Sequence, residues 1–300
     1  MIVASGLQLF FDQTANGVAS GVVYASIALA IVLIYRTTGL LNFAQGEMAL
    51  FSTFITYKLA ADAGLPIAVA VIVSALIGFV GGAVIERVLI RPVEDSPNPL
   101  NVVIVTLGMF LAINALAGLI FIKPGTEALQ MPELFPAGKV AGIDKETVGF
   151  AFVLVAQCVL LFLLLQKTKL GLALRAVASN PESSRLVGIN TGMMLMVGWG
   201  LAAAVGAVGG SLAAMQGTGF DTSLMQTVLV FGFSAAALGG FDSLIGAVVG
   251  GLVVGIANAW TVQYVDALDG IELVVPFALI LVVLLVRPNG LFGRTIVERV

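Results

Sequence analysis

The amino-acid sequence predicts an all-α protein: a polytopic transmembrane helical bundle of about 8–10 spans, with a short cytoplasmic helix near 181–187. Three observations carry that prediction. Hydrophobic residues make up 59% of the 300-residue chain, charged residues only 10%, and mean hydropathy is +1.09. A soluble domain carries about a quarter of its residues as charges. The apolar residues fall in runs long enough to cross about 30 Å of hydrocarbon, and one long stretch, 167–190, is instead polar and cation-rich.

The composition also excludes several kinds of chemistry. There is no histidine, which removes zinc sites of the HExxH type, His-based triads and His-ligated haem. The single cysteine, Cys158, lies in an apolar run and can form no disulfide framework. A net charge of -3 offers no basic face for nucleic acid, and no metal site is expected. The first sixteen residues contain no Lys or Arg, so the positive n-region of a signal peptide is missing.

In chain order, spans are expected near 17–35, 43–60, 66–86, 101–122, 148–166, 191–216, 225–240, 244–263 and 271–286. The seventh is short, and its crossing decides the parity of everything upstream. Strict alternation, with 167–190 cytoplasmic, puts Arg36, Arg87, Arg91, Lys167, Lys169, Arg175, Arg185, Arg287, Arg294 and Arg299 on that side. Lys58, Lys123, Lys139 and Lys145 fall on the other, so the positive-inside rule favours an outside N-terminus and a cytoplasmic C-terminus. The chain reads as a single transmembrane domain, 1–300. Its longest outer loop, 123–147, holds Pro124, Pro132 and Pro136 and reads equally as a connector or a docking surface, while the outer loops around Asp221 and Asp266–Asp269 carry no cations.

The 35 glycines often stand at small-xxx-small spacing, as in Gly17 with Gly21, Gly78 with Gly82, Gly206 with Gly210, Gly246 with Gly250 and Gly251 with Gly255. That spacing lets helix backbones approach closely in lipid. Within the spans, Glu47 is the clearest ionisable residue and therefore a functional candidate. Its bland alternative is an interfacial carboxylate capping its helix or pairing with Arg36. Asp242 is expected to cap the following helix, and Glu86 and Arg87 to anchor the third span at the interface. Asn114, Gln157, Gln226, Ser234 and Asn258 are expected to hydrogen-bond across helices, a few of them lining a path.

The polar stretch carries its own helix signals: Asn180 as N-cap, Pro181 at the first helical position, Glu182 in the first turn and Gly188 past the end. They predict a helix of two turns, about 10 Å long. No GxxxxGK[ST] loop occurs, so the chain does not bind ATP through a Walker A motif of its own. A polar helix bearing Glu182 and Arg185 between membrane spans is what a permease needs to push against a separate ATPase; the plain alternative is a solvated loop.

Four stretches then resemble a known family: 16–48 (NGVASGVVYASIALAIVLIYRTTGLLNFAQGEM), 86–93 (ERVLIRPV), 171–190 (GLALRAVASNPESSRLVGIN) and 286–293 (VRPNGLFG). Their order and spacing resemble the membrane subunits of ABC importers for branched-chain amino acids. Urea, amide and, more distantly, sugar permeases look similar, so the solute is less specific than the family. The resemblance implies that 167–190 docks on an ATP-binding subunit through Gly171, Arg175, Ala176, Asn180, Glu182, Arg185 and Gly188. The Glu-Ala-Ala signature of importers at large is absent. Asn42, Gln45, Gly46, Glu47 and Asn114 become candidates for the solute path, Gln45 standing where many relatives have His.

The resemblance also implies a bacterial inner-membrane, multi-pass transport subunit working by alternating access and performing no catalysis itself. Its partners would be a second homologous permease, two ATP-binding cassette subunits holding ATP and Mg, and a periplasmic or lipid-anchored solute-binding protein. No cofactor is expected in this chain. A stand-alone channel or ion-coupled secondary transporter is the competing class, for which GLLNFAQGEMAL and LGGFDSLIGAVV would be remnants of a parallel repeat.

Overall fold

Every one of the nine expected spans is helical. The computed structural model describes residues 2–293 apart from Asp95, Pro97, Pro99, Pro124, Thr126, Glu127, Ala141, Asp269 and Glu272. Arg294, Arg299, Pro124 and Asp269, named above, lie outside the described residues. The helices are α1 (Ile2–Thr38), α2 (Gln45–Tyr57), α3 (Ile67–Ile85), α4 (Arg91–Glu94), α5 (Leu100–Phe121), α6 (Lys145–Lys167), α7 (Lys169–Ser179), α8 (Pro181–Leu186), α9 (Thr191–Gln216), α10 (Leu224–Gly239), α11 (Leu244–Tyr264) and α12 (Val274–Val286). Single π turns extend α2 over Lys58–Asp62 and α3 over Glu86–Ile90. The only regular strand pairing among the described residues is the hairpin β1 (Lys139–Val140) and β2 (Ile143–Asp144), inside the long loop.

Six helices are long and apolar enough to cross a membrane, α1, α3, α5, α6, α9 and α11, and α10 and α12 are shorter apolar helices. The protein is an all-α, multi-pass membrane bundle. The chain packs as two compact units: residues to Val32, Phe135–Leu154 and Thr227 onward form one, and Leu33–Leu134 with Val155–Gln226 form the other.

In the first unit α1 and α11 run antiparallel at backbone contact. A Cβ on Gly17 would stand 2.7 Å from Ile256 Cα, and one on Gly21 2.9 Å from Leu252 Cα. On the facing helix, a Cβ on Gly255 would strike Gly17 and Gly21, and one on Gly251 would strike Ala25. The two predicted glycine pairs are thus halves of one seam, held by dispersion because lipid supplies no hydrophobic drive between helices. The seam continues in polar and aromatic contacts: Trp260 Nε1 donates to Thr14 Oγ1 at 3.1 Å, Phe10 stacks on Trp260, and Gln13 donates to Gln263. The C-terminal end of the short α10 packs against the start of α11 through Gly239 and Gly246.

In the second unit α2 is enclosed by α3, α5 and α9 and is buried from Gln45 to Leu50. It is too polar to face lipid. Its hydroxyls are absorbed internally: Ser52, Thr53 and Thr56 donate back to the carbonyls four residues earlier, Thr56 Oγ1 lies 3.0 Å from Ser211 Oγ, and Ser74 Oγ donates to Ser52 O. In α3 the exposed residues Ile72, Leu76, Val80 and Val84 form a stripe at i, i+4 spacing, while Gly78 and Gly82 face inward. A Cβ at Gly82 would stand 2.6 Å from Trp199 O, so glycine is what lets α3 reach α9. The stripe is the lipid-facing side of a span, since water would not tolerate so large an apolar surface.

Candidate functional site

Two groupings of the candidate residues emerge, one buried in the second unit and one on its polar module. The buried one is built where the chain enters α2. After α1 ends at Thr38, Gly39 adopts φ 72° and the backbone runs irregularly to Ala44. Asn42 Oδ1 accepts from Ala44 N at 3.0 Å, closing a local turn that replaces the helix capping Ala44 cannot provide. Asn42, Gln45, Gly46 and Glu47 are all buried. Gln45 Nε2 donates to Ala202 O on α9 at 3.2 Å.

Glu47 occupies the first turn of α2, where the positive end of the helix dipole favours a carboxylate. Its Oε2 accepts from Asn114 Nδ2 at 3.0 Å, and Asn114 gives its other amide hydrogen to Thr222 O at 2.8 Å. Oε1 of Glu47 is buried without a hydrogen-bond partner. The pairing with Arg36 weighed from sequence is not the contact formed: the partner is Asn114. Asn114 lies 14 residues beyond Leu100, at about 21 Å along α5, so this polar joint sits well inside the span. Tertiary register was needed to see this contact, because Asn114 stands on another helix, 67 residues away.

The second grouping is larger than the single helix expected. Thr168 caps a helix of its own, α7, by accepting from Gly171 N at 3.0 Å. Gly171 is buried in the α6–α7 turn, where a Cβ would strike the carbonyls of Leu164 and Leu165. Leu174 and Val177 bury the apolar face of α7, while Arg175 reaches back to Gln166 Oε1 at 2.9 Å. The carbonyl of Ala176 accepts from Asn180 N at 3.0 Å and so joins α7 to α8. Asn180 Oδ1 then accepts from Ser183 N at 2.8 Å, with Pro181 at the first helical position, as the sequence foretold. Gly188 takes φ 84°, and Ile189 N bonds back to Ser184 O at 3.0 Å to end α8.

The side chains of the module divide into those turned inward and those left outside. Arg185 Nε donates to Thr191 Oγ1 at 2.9 Å, tying α8 to the first residue of α9. Glu182 is exposed. So are Leu186 and Val187, at 88% and 76%. Sequence reading passed over these two because a short apolar pair after a polar helix carries no periodic signal.

Two further readings change. The cap of α11 is Ser243, accepting from Gly246 N at 3.0 Å, rather than Asp242. Glu86 is fully buried instead of anchoring at an interface, and holds Arg91 through Oε2 at 2.8 Å. Arg91 also donates to Gly192 O at the start of α9.

A membrane-crossing bundle with a polar joint inside the span and a capped helical module between α6 and α9 is of the permease class. The family model described as branched-chain amino acid transport system / permease component matches residues 13–284, and the chain belongs to that family. It is 31% identical, over 97% of this chain and 98% of the relative, to the high-affinity branched-chain amino acid transport system permease protein LivH of Escherichia coli (strain K12). Over the same shares it is 30% identical to the corresponding protein BraD of Pseudomonas aeruginosa. It is 27% identical, over 89% of this chain and 87% of the relative, to a probable branched-chain amino acid transport permease protein LivH of Methanocaldococcus jannaschii.

Proposed function

We propose that this chain is the membrane-spanning subunit of an ATP-driven ABC importer for branched-chain amino acids, passing solute from an external binding protein to the cytoplasm by alternating access. The observation that carries the reading is the α7–α8 module: two capped helices, joined end to end, that leave Leu186 and Val187 bare beside the exposed Glu182. An apolar pair rimmed by charge is the pattern of a protein interface. Gly171, Arg175, Ala176 and Asn180 shape this module internally, Gly188 ends it, and Glu182 and Arg185 border the contact.

The partners in this reading are a second homologous permease, two ATP-binding cassette subunits on the cytoplasmic face, and a periplasmic or lipid-anchored solute-binding protein. ATP and Mg belong to the cassette subunits, and this chain needs no cofactor of its own. The module is cytoplasmic and the N-terminus outside, in a bacterial inner membrane. Parallel α2 and α9, matched from Gln45 with Ala202 to Thr56 with Ser211, agree with the alternation that the charge distribution requires.

Asn42, Gln45, Gly46, Glu47 and Asn114 form the polar wall beside the solute path. Once the helices part, the unpartnered Oε1 of Glu47 is an acceptor that a solute ammonium group can meet.

The test is uptake into proteoliposomes holding the complete complex, with ATP inside and binding protein outside. Leucine, isoleucine and valine are expected to enter only with hydrolysable ATP. Transport of urea or acetamide in their place would overturn the solute assignment, and uptake driven by an ion gradient without ATP would overturn the mechanism.

A further inference from the structure

A continuous set of contacts leads from the polar module into the bundle, and it passes through a residue that neither the coupling nor the solute candidates include. Arg185 on α8 is bonded to Thr191, the first residue of α9. The next residue, Gly192, presents its carbonyl to Nη2 of Arg91, 101 positions earlier in the chain. Arg91 is held in place by Glu86: Nε donates to Oε1 at 3.2 Å, and Nη2 to Oε1 and Oε2 at 3.1 and 2.8 Å.

The local geometry explains why these residues meet. In an α-helix, positions five apart lie on different faces. Here Glu86–Ile90 is a π turn, closed by Arg91 N on Glu86 O, which brings the two side chains together at that spacing. π turns of this kind occur mostly at functional positions. Glu86 is fully buried, so its carboxylate depends on Arg91 for a countercharge. Gly192 completes the fit, because a Cβ there would stand 2.8 Å from the guanidinium carbon of Arg91.

Beyond this point α3 and α9 are packed backbone to backbone at Gly82 and Trp199, and Ala202 O on α9 takes the amide of Gln45 on α2. A stable π turn would need only the Glu86–Arg91 pair; the bond to Gly192 adds a tie across the bundle. We propose that Arg91, seated by Glu86, is a positioning residue that locks the first turn of α9 to α3, so that a push on α8 moves both helices as one body and reaches Gln45. The transmission role rests on the importer reading above.

Two variants separate the lock from the charge. Arg91→Lys keeps a cation for Glu86 but loses the planar fork, and its shorter stem draws the charge away from Gly192 O. Gly192→Ala leaves both charges in place and pushes the guanidinium aside. In the purified complex, hydrogen exchange at the α9 first turn, Thr191 to Met194, is expected to quicken several-fold in both variants, whatever the complex transports. Unchanged exchange in both would overturn the lock.

In proteoliposomes, both variants are expected to continue hydrolysing ATP while the ATP consumed per solute imported rises several-fold. Quickened exchange with an unaltered ratio would overturn the transmission role and leave the importer reading intact. Failure of the unsubstituted complex to import with ATP would overturn the importer reading, and the transmission role with it, while leaving the lock to the exchange result.

Discussion

The amide nitrogen of Asn114 lies 3.0 Å from Oε2 of Glu47 and 2.8 Å from the carbonyl of Thr222, so one side chain on α5 holds both the start of α2 and the approach to α10. Asn114→Leu would remove the donor that serves this buried carboxylate. The expected loss is about 1–3 kcal/mol, the cost of leaving a buried polar group without its donor. Glu47→Gln, which keeps the shape and removes the charge, should cost under about 1 kcal/mol. Thermal unfolding in detergent distinguishes them, and an equal loss for both would mean that the Asn114 contact contributes nothing special.

Glycine positions provide a contrast within one fold. Gly21→Leu forces a side chain against the α11 backbone and is expected to cost at least about 1–3 kcal/mol by overpacking, or to prevent assembly of the seam. Gly108, inside α5, has open space where a Cβ would stand, with nothing within 4 Å. Gly108→Ala should be neutral or stabilising by about 0.5–1 kcal/mol, from helix propensity alone. The melting temperature should fall for Gly21→Leu and hold or rise for Gly108→Ala.

Asn180 supplies the side-chain cap of a helix six residues long. Asn180→Ala is expected to destabilise α8 by about 1 kcal/mol, seen as faster amide exchange at Ser183, while Asn180→Asp should retain protection. On the importer reading the alanine variant also transports less at equal ATP turnover.

The fold was legible in the residues where the physics is local. Apolar runs gave the six helices long enough to cross a membrane and the shorter apolar α10 and α12, and Asn180, Pro181 and Gly188 gave both ends of α8, because caps and turns depend on neighbours in sequence. The second half of each glycine seam was legible only as spacing; that Gly17 and Gly21 face Gly251 and Gly255 needed the packed helices. Glu47 stood out in the sequence as an ionisable residue in an apolar run, yet its partner was missed, since Asn114 stands 67 residues away and no local pattern links them. Thr168 as the cap of α7 could have been found, being a Thr before a helical run, but the charged residues around it read as loop. The Glu86–Arg91 pair was hidden by the π turn, which brings together residues that an α-helical reading keeps apart.

The central claim is that α8 couples this permease to an ATPase through its bare apolar end. Leu186→Asp changes no internal contact of consequence, since the side chain is 88% exposed. In the reconstituted complex this variant is expected to abolish ATP-driven leucine uptake and to lose the ATP-binding subunits on co-purification, while the permease itself stays folded in the membrane. Uptake at the unsubstituted rate, with the ATP-binding subunits still bound, would contradict the account.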